Sequence, residues 1–458
     1  MNFLRVKQIH FVGIGGIGMS GLAELLKTVG LRVTGSDAKE TEVTRRLVSL
    51  GIPISSGHRP EYVAGADVVV YSSAVREDNP EVAAARAAGL PVIKRAEMLA
   101  EVMRFKRGIA IGGTHGKTTT TSMTGAVLLA AGLDPTIIVG GRMRDVGNAR
   151  LGRGDWCVAE ADEFDRSFLE LRPLLAVVTN IDLEHLDTYR DLADLKETFA
   201  RFARSVPFFG AALLGLDDPN VQEIRPLVGR RVVTYGLTPQ ADVTARDLGL
   251  ERTSSRFFAV ADGTVLGPVT LPMPGLHNVK NALAALAVAR ELEIPFLVSA
   301  RALSEFRGVI RRFEKKGERG DVVVYDDYAH HPTEVAATLS AARQAHPDRR
   351  VVVLFQPHLY SRTRDFAASF GAAFLASDVL LVAPVFGSRE TPIEGVSGAL
   401  VADAATARGH RHSRYLRTQE EVLPALDETL RDGDLLITMG AGDILHAGED
   451  WLKAGEGA

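Results

Sequence analysis

The chain has 458 residues, 46% of them hydrophobic and 24% charged, and this ordinary composition excludes a disordered or low-complexity protein. A formal net charge of −4 without a long basic block argues against nucleic acid or an anionic membrane as a partner. A chain of this length predicts about three domains.

A single cysteine, Cys157, excludes an intrachain disulfide and favours a reducing compartment. The first residues lack the layout of a signal peptide, and no apolar run has the length of a membrane-spanning helix. We therefore expect a cytoplasmic protein.

Strands and helices alternate through the first part of the chain, which is the pattern of a parallel sheet with helices on both faces. The predicted strands are residues 8–12, 31–34 and 67–71, and the predicted helices are residues 18–29 and 41–50.

The α/β pattern restarts near residue 104, and again after a charged, glycine-containing stretch at residues 313–321. That stretch predicts a linker, with a hinge near residues 317–320. The remaining predicted strands are residues 108–111, 156–159, 174–179, 322–325, 350–355, 379–382 and 435–439, and a helix is predicted at 118–131. The predicted domains are residues 1–103, 104–312 and 313–458.

Residues 13–18, with the sequence GIGGIG, form a glycine-rich turn between the first predicted strand and helix. Glycines allow close approach of a pyrophosphate, and the helix N-terminus supplies N–H donors. Asp37 lies at the distance along the chain expected for a residue facing a ribose. The alternatives are NAD, another diphosphate nucleotide, or a close-packed turn without a ligand.

A second glycine-rich turn, GGTHGKTT at residues 112–119, is similar to a P-loop. Lys117 is suited to the β- and γ-phosphates and Thr118 to Mg²⁺. The strict pattern is not met, because Ile111 stands where its first glycine belongs. Two phosphate-binding turns on two α/β units predict a protein that brings a nucleotide-linked substrate to ATP.

Acidic residues and a histidine follow two of the predicted strands. Glu160 is suited to hold Mg²⁺ beside the P-loop, whereas Asp162 and Glu163 fit either a metal site or helix capping. His185, among acids after the next strand, is a candidate ligand for a second divalent ion or for phosphate.

Two polar clusters follow strands of the third segment, DDYAHHPTE at 326–334 and QPHLYSRTR at 356–364. The adjacent histidines lack the spacing of a zinc site on a helix, so substrate binding is the better interpretation. The arginines of the second cluster suit a substrate carboxylate.

At this point the chain resembles the Mur ligases. The motifs that carry the resemblance are residues 113–119, EADEFD at 160–165, TNIDLEHLD at 179–187, GLHNVKN at 275–281 and RRF at 311–313. Within the family, residues 13–21 and the two polar clusters are similar to members that join L-alanine to UDP-N-acetylmuramate. The resemblance implies an α/β fold of three domains: a Rossmann-like domain for the UDP part, a P-loop ATP-binding domain, and a Rossmann-like domain that binds the amino acid and closes over the site.

The resemblance also implies roles for individual residues. ATP would be bound by Gly113, Thr114, His115, Gly116, Lys117, Thr118, Thr119, Asn278 (adenine), Arg311 (phosphate) and Asp327 (ribose). The UDP-linked substrate would be bound by Gly15, Gly16, Ile17, Gly18, Asp37, Ser72 and Ser73. The metal would be held by Thr118, Glu160 and His185, and L-alanine by Tyr328, His330, His358 and Arg362. Several relatives carry a carbamylated lysine, but this chain has Arg201 in that part, so carbamylation of Lys196 is not predicted.

The implied reaction activates the muramate carboxylate as an acyl phosphate, which the amine of L-alanine then attacks, as a step of peptidoglycan synthesis for cell shape and division. ATP and Mg²⁺ are the expected cofactors, with Mn²⁺ as an alternative ion. Lys117, His185, His330, His358 and Arg362 are the candidate catalytic residues, and His330 or His358 is the candidate base. The protein is expected to be a monomer or a homodimer. The alternatives are a recycling ligase for a pre-formed peptide, a nicotinamide-dependent oxidoreductase and a regulatory ATPase.

Overall fold

The computed structural model describes residues 5–72, 74–143, 147–186, 188–388 and 390–454. The chain divides into two compact units. The first comprises Met1–Leu248, Arg256–Leu271 and Asn278–Arg307, and the second comprises Gly249–Ser255, Pro272–His277 and Gly308–Ala458. No described helix combines the length and the apolar character that crossing a membrane requires.

The first unit begins with a parallel sheet in the strand order β3-β2-β1-β4-β5. Its strands are β1 (Gln8–Val12), β2 (Arg32–Asp37), β3 (Ile54–Ser56), β4 (Val68–Tyr71) and β5 (Val92–Lys94). The helices between them are α1 (Ile17–Thr28), α2 (Glu42–Ser49), α3 (Pro80–Ala87) and α4 (Arg95–Arg104). The strand order reverses beside β1, and ligands bind outside the carboxyl ends of strands at such a point. The first glycine turn follows β1 there.

A second, mixed sheet follows in the first unit. Its strands are β6 (Arg107–Gly112), β7 (Thr136–Met143), β8 (Gly147–Arg150), β9 (Trp156–Glu160), β10 (Leu175–Val178), β11 (Ala211–Gly215), β12 (Val232–Tyr235), β13 (Val243–Leu250), β14 (Ser255–Ala261) and β15 (Thr264–Leu271). Its helices are α5 (Lys117–Ala130), α6 (Leu192–Arg204), α7 (Pro219–Ile224), α8 (Leu276–Glu291) and α9 (Phe296–Ser304). The order β15-β14-β13-β12-β11-β10-β6-β9-β7-β8 places β6 between β10 and β9. The residues that follow these three neighbouring strands therefore meet at one edge.

The first two sheets pack together through α1. The side-chain amide of Asn148 on β8 donates to the hydroxyl of Ser20 on α1 at 2.8 Å. Gly21 lies so close to Ala149 that a Cβ at position 21 would meet its Cβ at 3.0 Å. These contacts place both glycine-rich turns in one compact unit.

The third sheet, in the second unit, has the order β16-β17-β21-β18-β19-β20. Its strands are β16 (Glu314–Arg319), β17 (Val322–Asp327), β18 (Arg350–Phe355), β19 (Val379–Val382), β20 (Ser413–Tyr415) and β21 (Asp434–Met439). Its helices are α10 (Pro332–Ala345), α11 (Tyr360–Ala373), α12 (Ala399–Ala407), α13 (Val422–Thr429) and α14 (Leu445–Ala454).

Each strand predicted from an apolar run is present, and the predicted helices at 18–29, 41–50 and 118–131 correspond to α1, α2 and α5. The predicted linker at 313–321 is wrong. It forms β16, which pairs antiparallel with β17 through a turn at Gly320, where φ is +59°. Its charged side chains are compatible with a strand because β16 is at the sheet edge. The domain boundaries at 103 and 312 stay predictions.

Candidate functional site

The P-loop-like turn connects β6 to α5, and its backbone requires glycine at two positions. Gly113 has φ +125°, and a Cβ there would lie 2.0 Å from the hydroxyl oxygen of Thr179. Gly116 has φ +83° and precedes the first residue of α5, Lys117. No side chain caps this helix start, so its N–H groups face the turn as they do in phosphate-binding loops.

The residues after β10 fix the shape of this turn. Asn180 accepts a hydrogen bond from the His115 amide at 2.8 Å through its side-chain oxygen, and the Thr179 hydroxyl donates to the His115 carbonyl at 2.7 Å. The side chain of Asn180 also donates to that carbonyl at 2.9 Å. These bonds tie the middle of the loop to the residues that follow β10.

Lys117 points back into the loop. Its Nζ donates to the carbonyls of Gly113 and Thr114 at 2.7 and 3.1 Å, and to both carboxylate oxygens of Glu163 at 2.8 Å. Burial opposes the charge on Lys117, but Glu163, Asp162 and Glu160 outweigh it and raise its pKa. Burial raises the pKa of Glu163 above its ordinary value although Lys117 opposes the shift. Lys117 and Glu163 therefore form a buried, hydrogen-bonded pair inside the phosphate-binding loop.

The predicted metal residues Thr118 and Glu160 lie together. The Thr118 hydroxyl donates to Glu160 Oε2 at 3.0 Å, and the Gly140 amide donates to the same oxygen at 2.7 Å. A hydroxyl and a carboxylate beside a phosphate loop are oxygen donors of the kind that Mg²⁺ prefers. The residues present therefore fit such an ion.

His185 lies beside two acidic residues, Glu163 and Glu184. Its Nε2 is 3.9 Å from Glu163 Oε1 and 3.8 Å from Glu184 Oε2, and one ligand atom from each residue falls within 4.8 Å of the others. Phe164 packs edge-on against the imidazole, with ring centroids 5.1 Å apart. Sequence reasoning named His185 but not Glu184 as a metal-site residue, and the acid directly before the histidine was the available signal.

Helix α8 brings Asn278 to the side of the P-loop. The Thr120 hydroxyl donates to Asn281 Oδ1 at 3.1 Å, and a Cβ at Gly116 would meet the same oxygen at 2.7 Å. Residues three apart share a face of a helix, so Asn278, itself buried, lies on the face that carries Asn281. Its predicted contact with adenine stays a prediction.

The first glycine turn is held by β2. The amides of Gly13 and Ile14 donate to the Ser36 carbonyl, and the Gly15 amide donates to Asp37 Oδ2 at 2.8 Å. The Asp37 carboxylate therefore binds the turn itself, and its predicted contact with a ribose stays a prediction. Ser72 lies beside Gly13, whose Cβ would meet the Ser72 Cβ at 3.3 Å. Ser73 and the side chain of Ile17 lie outside the described residues.

A cavity of about 160 Å³ lies between the two turns of the first unit. Its lining residues are Gly18, Arg95, Ile138, Val139, Gly140, Glu160 and Asp162. The cavity therefore extends from the first glycine-rich turn to Glu160, the acid beside the P-loop-like turn. Sequence reasoning did not single out Arg95, because an arginine at the start of a helix has no signal of its own.

In the second unit the four residues predicted for the amino acid lie together. The rings of Tyr328 and His330 meet edge-on with centroids 5.4 Å apart, and those of His330 and His358 at 5.8 Å. Arg362 Nη1 lies 3.0 Å from His358 Nδ1, and Arg362 is buried. Burial raises the pKa of the Tyr328 phenol. An arginine, two imidazoles and a phenol form a polar site suited to a small zwitterion.

Arg311 and Asp327, predicted for phosphate and ribose, bind groups of their own unit. The Arg311 guanidinium donates to Asp326 Oδ2 at 2.9 Å and to the carbonyls of Gly440 and Gly442 at 2.7 and 3.1 Å. Asp327 accepts from the amides of Phe313 and Ala329, both at 2.7 Å. Burial raises the pKa of Asp327 to about 6 although Arg312 and these amides oppose the shift.

Three family models match consecutive segments of the chain. They are described as "Mur ligase family, catalytic domain" over residues 8–107, "Mur ligase middle domain" over 111–289 and "Mur ligase, glutamate ligase domain" over 311–442. Two similar curated proteins are named UDP-N-acetylmuramate–L-alanine ligase. That of Desulfatibacillum aliphaticivorans is 52% identical over 98% of both chains, and that of Sorangium cellulosum (strain So ce56) is 54% identical over 96% of this chain and 94% of its own.

Two solved structures are similar over nearly the whole chain. The UDP-N-acetylmuramate–alanine ligase of Thermotoga maritima has a TM-score of 0.83 at 31% identity, covering 99% of this chain and 100% of that one. A murein peptide ligase of Psychrobacter arcticus has a TM-score of 0.75 at 25% identity, covering 98% of each chain.

Proposed function

We propose that this chain, which belongs to the Mur ligase family, joins L-alanine to UDP-N-acetylmuramate in an ATP-dependent step of peptidoglycan precursor synthesis. The observation that carries the proposal is the cavity lined by Gly18 of the first glycine turn and by Glu160 beside the P-loop. It gives a nucleotide-linked acceptor a place from which its carboxylate reaches ATP. The names of the curated relatives supply the acceptor and the amino acid.

ATP binds with its phosphates on the turn at 113–119, where Lys117 and the N-terminus of α5 supply positive charge. Asn278 binds the adenine, Asp327 the ribose and Arg311 a phosphate. Thr118 and Glu160 would hold Mg²⁺, and His185 would take part in a second divalent site. When bound, the ion offsets negative charge on the transferring phosphoryl group.

In the first step a carboxylate oxygen of the muramate attacks the γ-phosphorus, and the bond to the β–γ bridging oxygen breaks to release ADP. Lys117 is the protein cation that stabilises the charge that spreads over the transferring group. The product is an acyl phosphate, in which phosphate is a good leaving group.

In the second step the amine nitrogen of L-alanine attacks the acyl carbon, loses a proton and displaces phosphate. Tyr328, His330, His358 and Arg362 bind the amino acid, with Arg362 suited to its carboxylate. His330 or His358 accepts the proton. The enzyme works in the cytoplasm, where ATP and the nucleotide-linked acceptor are found together.

The rival within the fold is a ligase that attaches a pre-formed peptide. The solved relative of that name is 25% identical, whereas curated relatives named for L-alanine are 52% and 54% identical over almost the whole chain. A nicotinamide-dependent oxidoreductase would leave Lys117, Thr118 and Glu160 without a role.

The test is ADP release by purified protein with ATP and Mg²⁺, adding UDP-N-acetylmuramate and L-alanine separately and together. We expect release that requires both, and a product heavier by one alanine residue in mass spectrometry. Parallel reactions with glycine, serine or a tripeptide in place of alanine identify which amine the enzyme accepts as substrate. Turnover that requires a peptide, or that proceeds without the acceptor, would reject the proposal.

A further inference from the structure

Arg95 is a cation that lies against the first glycine-rich turn. It is the first residue of α4, whose start is fixed because Glu97 Oε1 accepts from the Lys94 amide at 3.0 Å. The residues of α4 that pack inward, including Met98, Leu99 and Val102, are buried. The cap and the packing fix the backbone position from which the Arg95 side chain extends.

The guanidinium lies directly on Gly18. A Cβ at position 18 would meet Arg95 Cδ and Nη1 at 3.1 Å and Cζ at 3.4 Å. Glycine at this position therefore makes room for the arginine. The turn of the first sheet and the guanidinium together form one face of the cavity that reaches Glu160.

Positive charge converges at this face. Helix α1 begins at Ile17 without a side-chain cap at Gly16 and without an acidic residue in its first turn. Its N-terminus and the Arg95 guanidinium are therefore directed to the same space. Among the described residues, Asp162 provides the carboxylate that Arg95 faces, at 3.8 Å, a distance longer than a hydrogen bond. Asp162 thus orients the guanidinium without saturating its N–H donors.

We propose that Arg95 binds the diphosphate of the UDP-linked acceptor, so that the acceptor's carboxylate extends toward Glu160 and the P-loop. This inference rests on the proposed function. A diphosphate matches the site better than the carboxylate does, because the guanidinium lies on the glycine-rich turn at Gly18, beside the uncapped N-terminus of α1. A glycine-rich turn that leads into a helix N-terminus is a binding site for pyrophosphate.

The test measures binding by calorimetry without turnover, using wild type, Arg95→Ala and Arg95→Lys. Two ligands are compared: UDP-N-acetylmuramate, and UDP-N-acetylglucosamine, which has the same diphosphate but no carboxylate. We expect Arg95→Ala to weaken both by a similar factor, about 10- to 100-fold. Arg95→Lys, which keeps the charge but loses the planar guanidinium fork, should recover part of that loss. In separate turnover assays, the KM for ATP should stay unchanged in all variants.

The matched control is Arg104→Ala, which removes an exposed arginine at the other end of the same helix and should leave both affinities unchanged. A loss confined to UDP-N-acetylmuramate would overturn the diphosphate assignment in favour of the carboxylate. Equal binding by wild type and Arg95→Ala would overturn it altogether, as would a wild type that does not bind UDP-N-acetylglucosamine. A wild type that binds neither ligand would instead reject the proposed function.

Discussion

The ammonium of Lys117 lies 2.8 Å from each carboxylate oxygen of Glu163, with their side chains 13% and 1% exposed. Glu163 thus binds the ammonium group of Lys117, the cation expected to contact the phosphates of ATP. ATP phosphates must compete with Glu163 for Lys117. Lys117 therefore contributes both to the stability of the nucleotide-free protein and to the proposed phosphoryl transfer.

Replacing Lys117 by alanine should destabilise the nucleotide-free protein as well as abolish ligation. The change leaves the Glu163 carboxylate buried without its cation, which typically costs about 3–5 kcal/mol. Urea unfolding measures the loss. The double variant Lys117→Ala/Glu163→Gln should recover most of that stability while staying inactive. A double variant as unstable as the single one would show that the buried charge is not the cause.

His185→Ala should raise the divalent ion concentration for half-maximal activity about 10- to 100-fold, because a ligand of the site is lost. Titration of activity with Mg²⁺ and direct binding of Mn²⁺, followed by electron paramagnetic resonance, measure the change. His412→Ala, which removes an exposed histidine, is the control. Unchanged Mn²⁺ binding by His185→Ala would remove His185 from the metal site.

Asp327→Asn should change how stability depends on pH. Burial raises the pKa of Asp327 from 3.8 to about 6, so the folded protein binds this proton more tightly than the unfolded chain does. The stabilisation is complete below pH 3.8 and is lost as the pH rises through 6. Wild type should therefore lose about 3 kcal/mol relative to the variant between pH 4 and 7.

Chemical denaturation at a series of pH values measures this difference. The control is Asp403→Asn, which replaces an exposed carboxylate and should track wild type throughout. A variant whose stability runs parallel to that of wild type over this range would show that Asp327 does not titrate with a raised pKa.

Cys157 should resist thiol reagents in the native protein. It is fully buried on β9, and burial raises its pKa to about 12, so the reactive thiolate is scarce at neutral pH. A colorimetric thiol assay should find no reactive group in buffer and one per chain in denaturant. Rapid reaction of the native protein would mean that β9 opens to solvent.

Several parts of the site followed from the sequence because each depends on a short, contiguous segment. A strand, a glycine turn with Lys117 and Thr118, and a helix identify a phosphate loop by residue type alone. The acids after β9 and the histidine after β10 were predicted as metal ligands because polar residues at the ends of parallel strands line ligand sites. The edge strand β16 was missed because its charged residues give no apolar alternation.

What the sequence alone determined about this protein is its α/β class, the two glycine turns and the polar residues that follow each buried strand, since these depend on local residue types. Only the tertiary structure decided the partners: Glu163 on Lys117, Asp37 on the Gly15 amide, and Arg95 over Gly18. These pairs join residues far apart along the chain. Strand order and helix packing select such partners, and no local spacing encodes that selection.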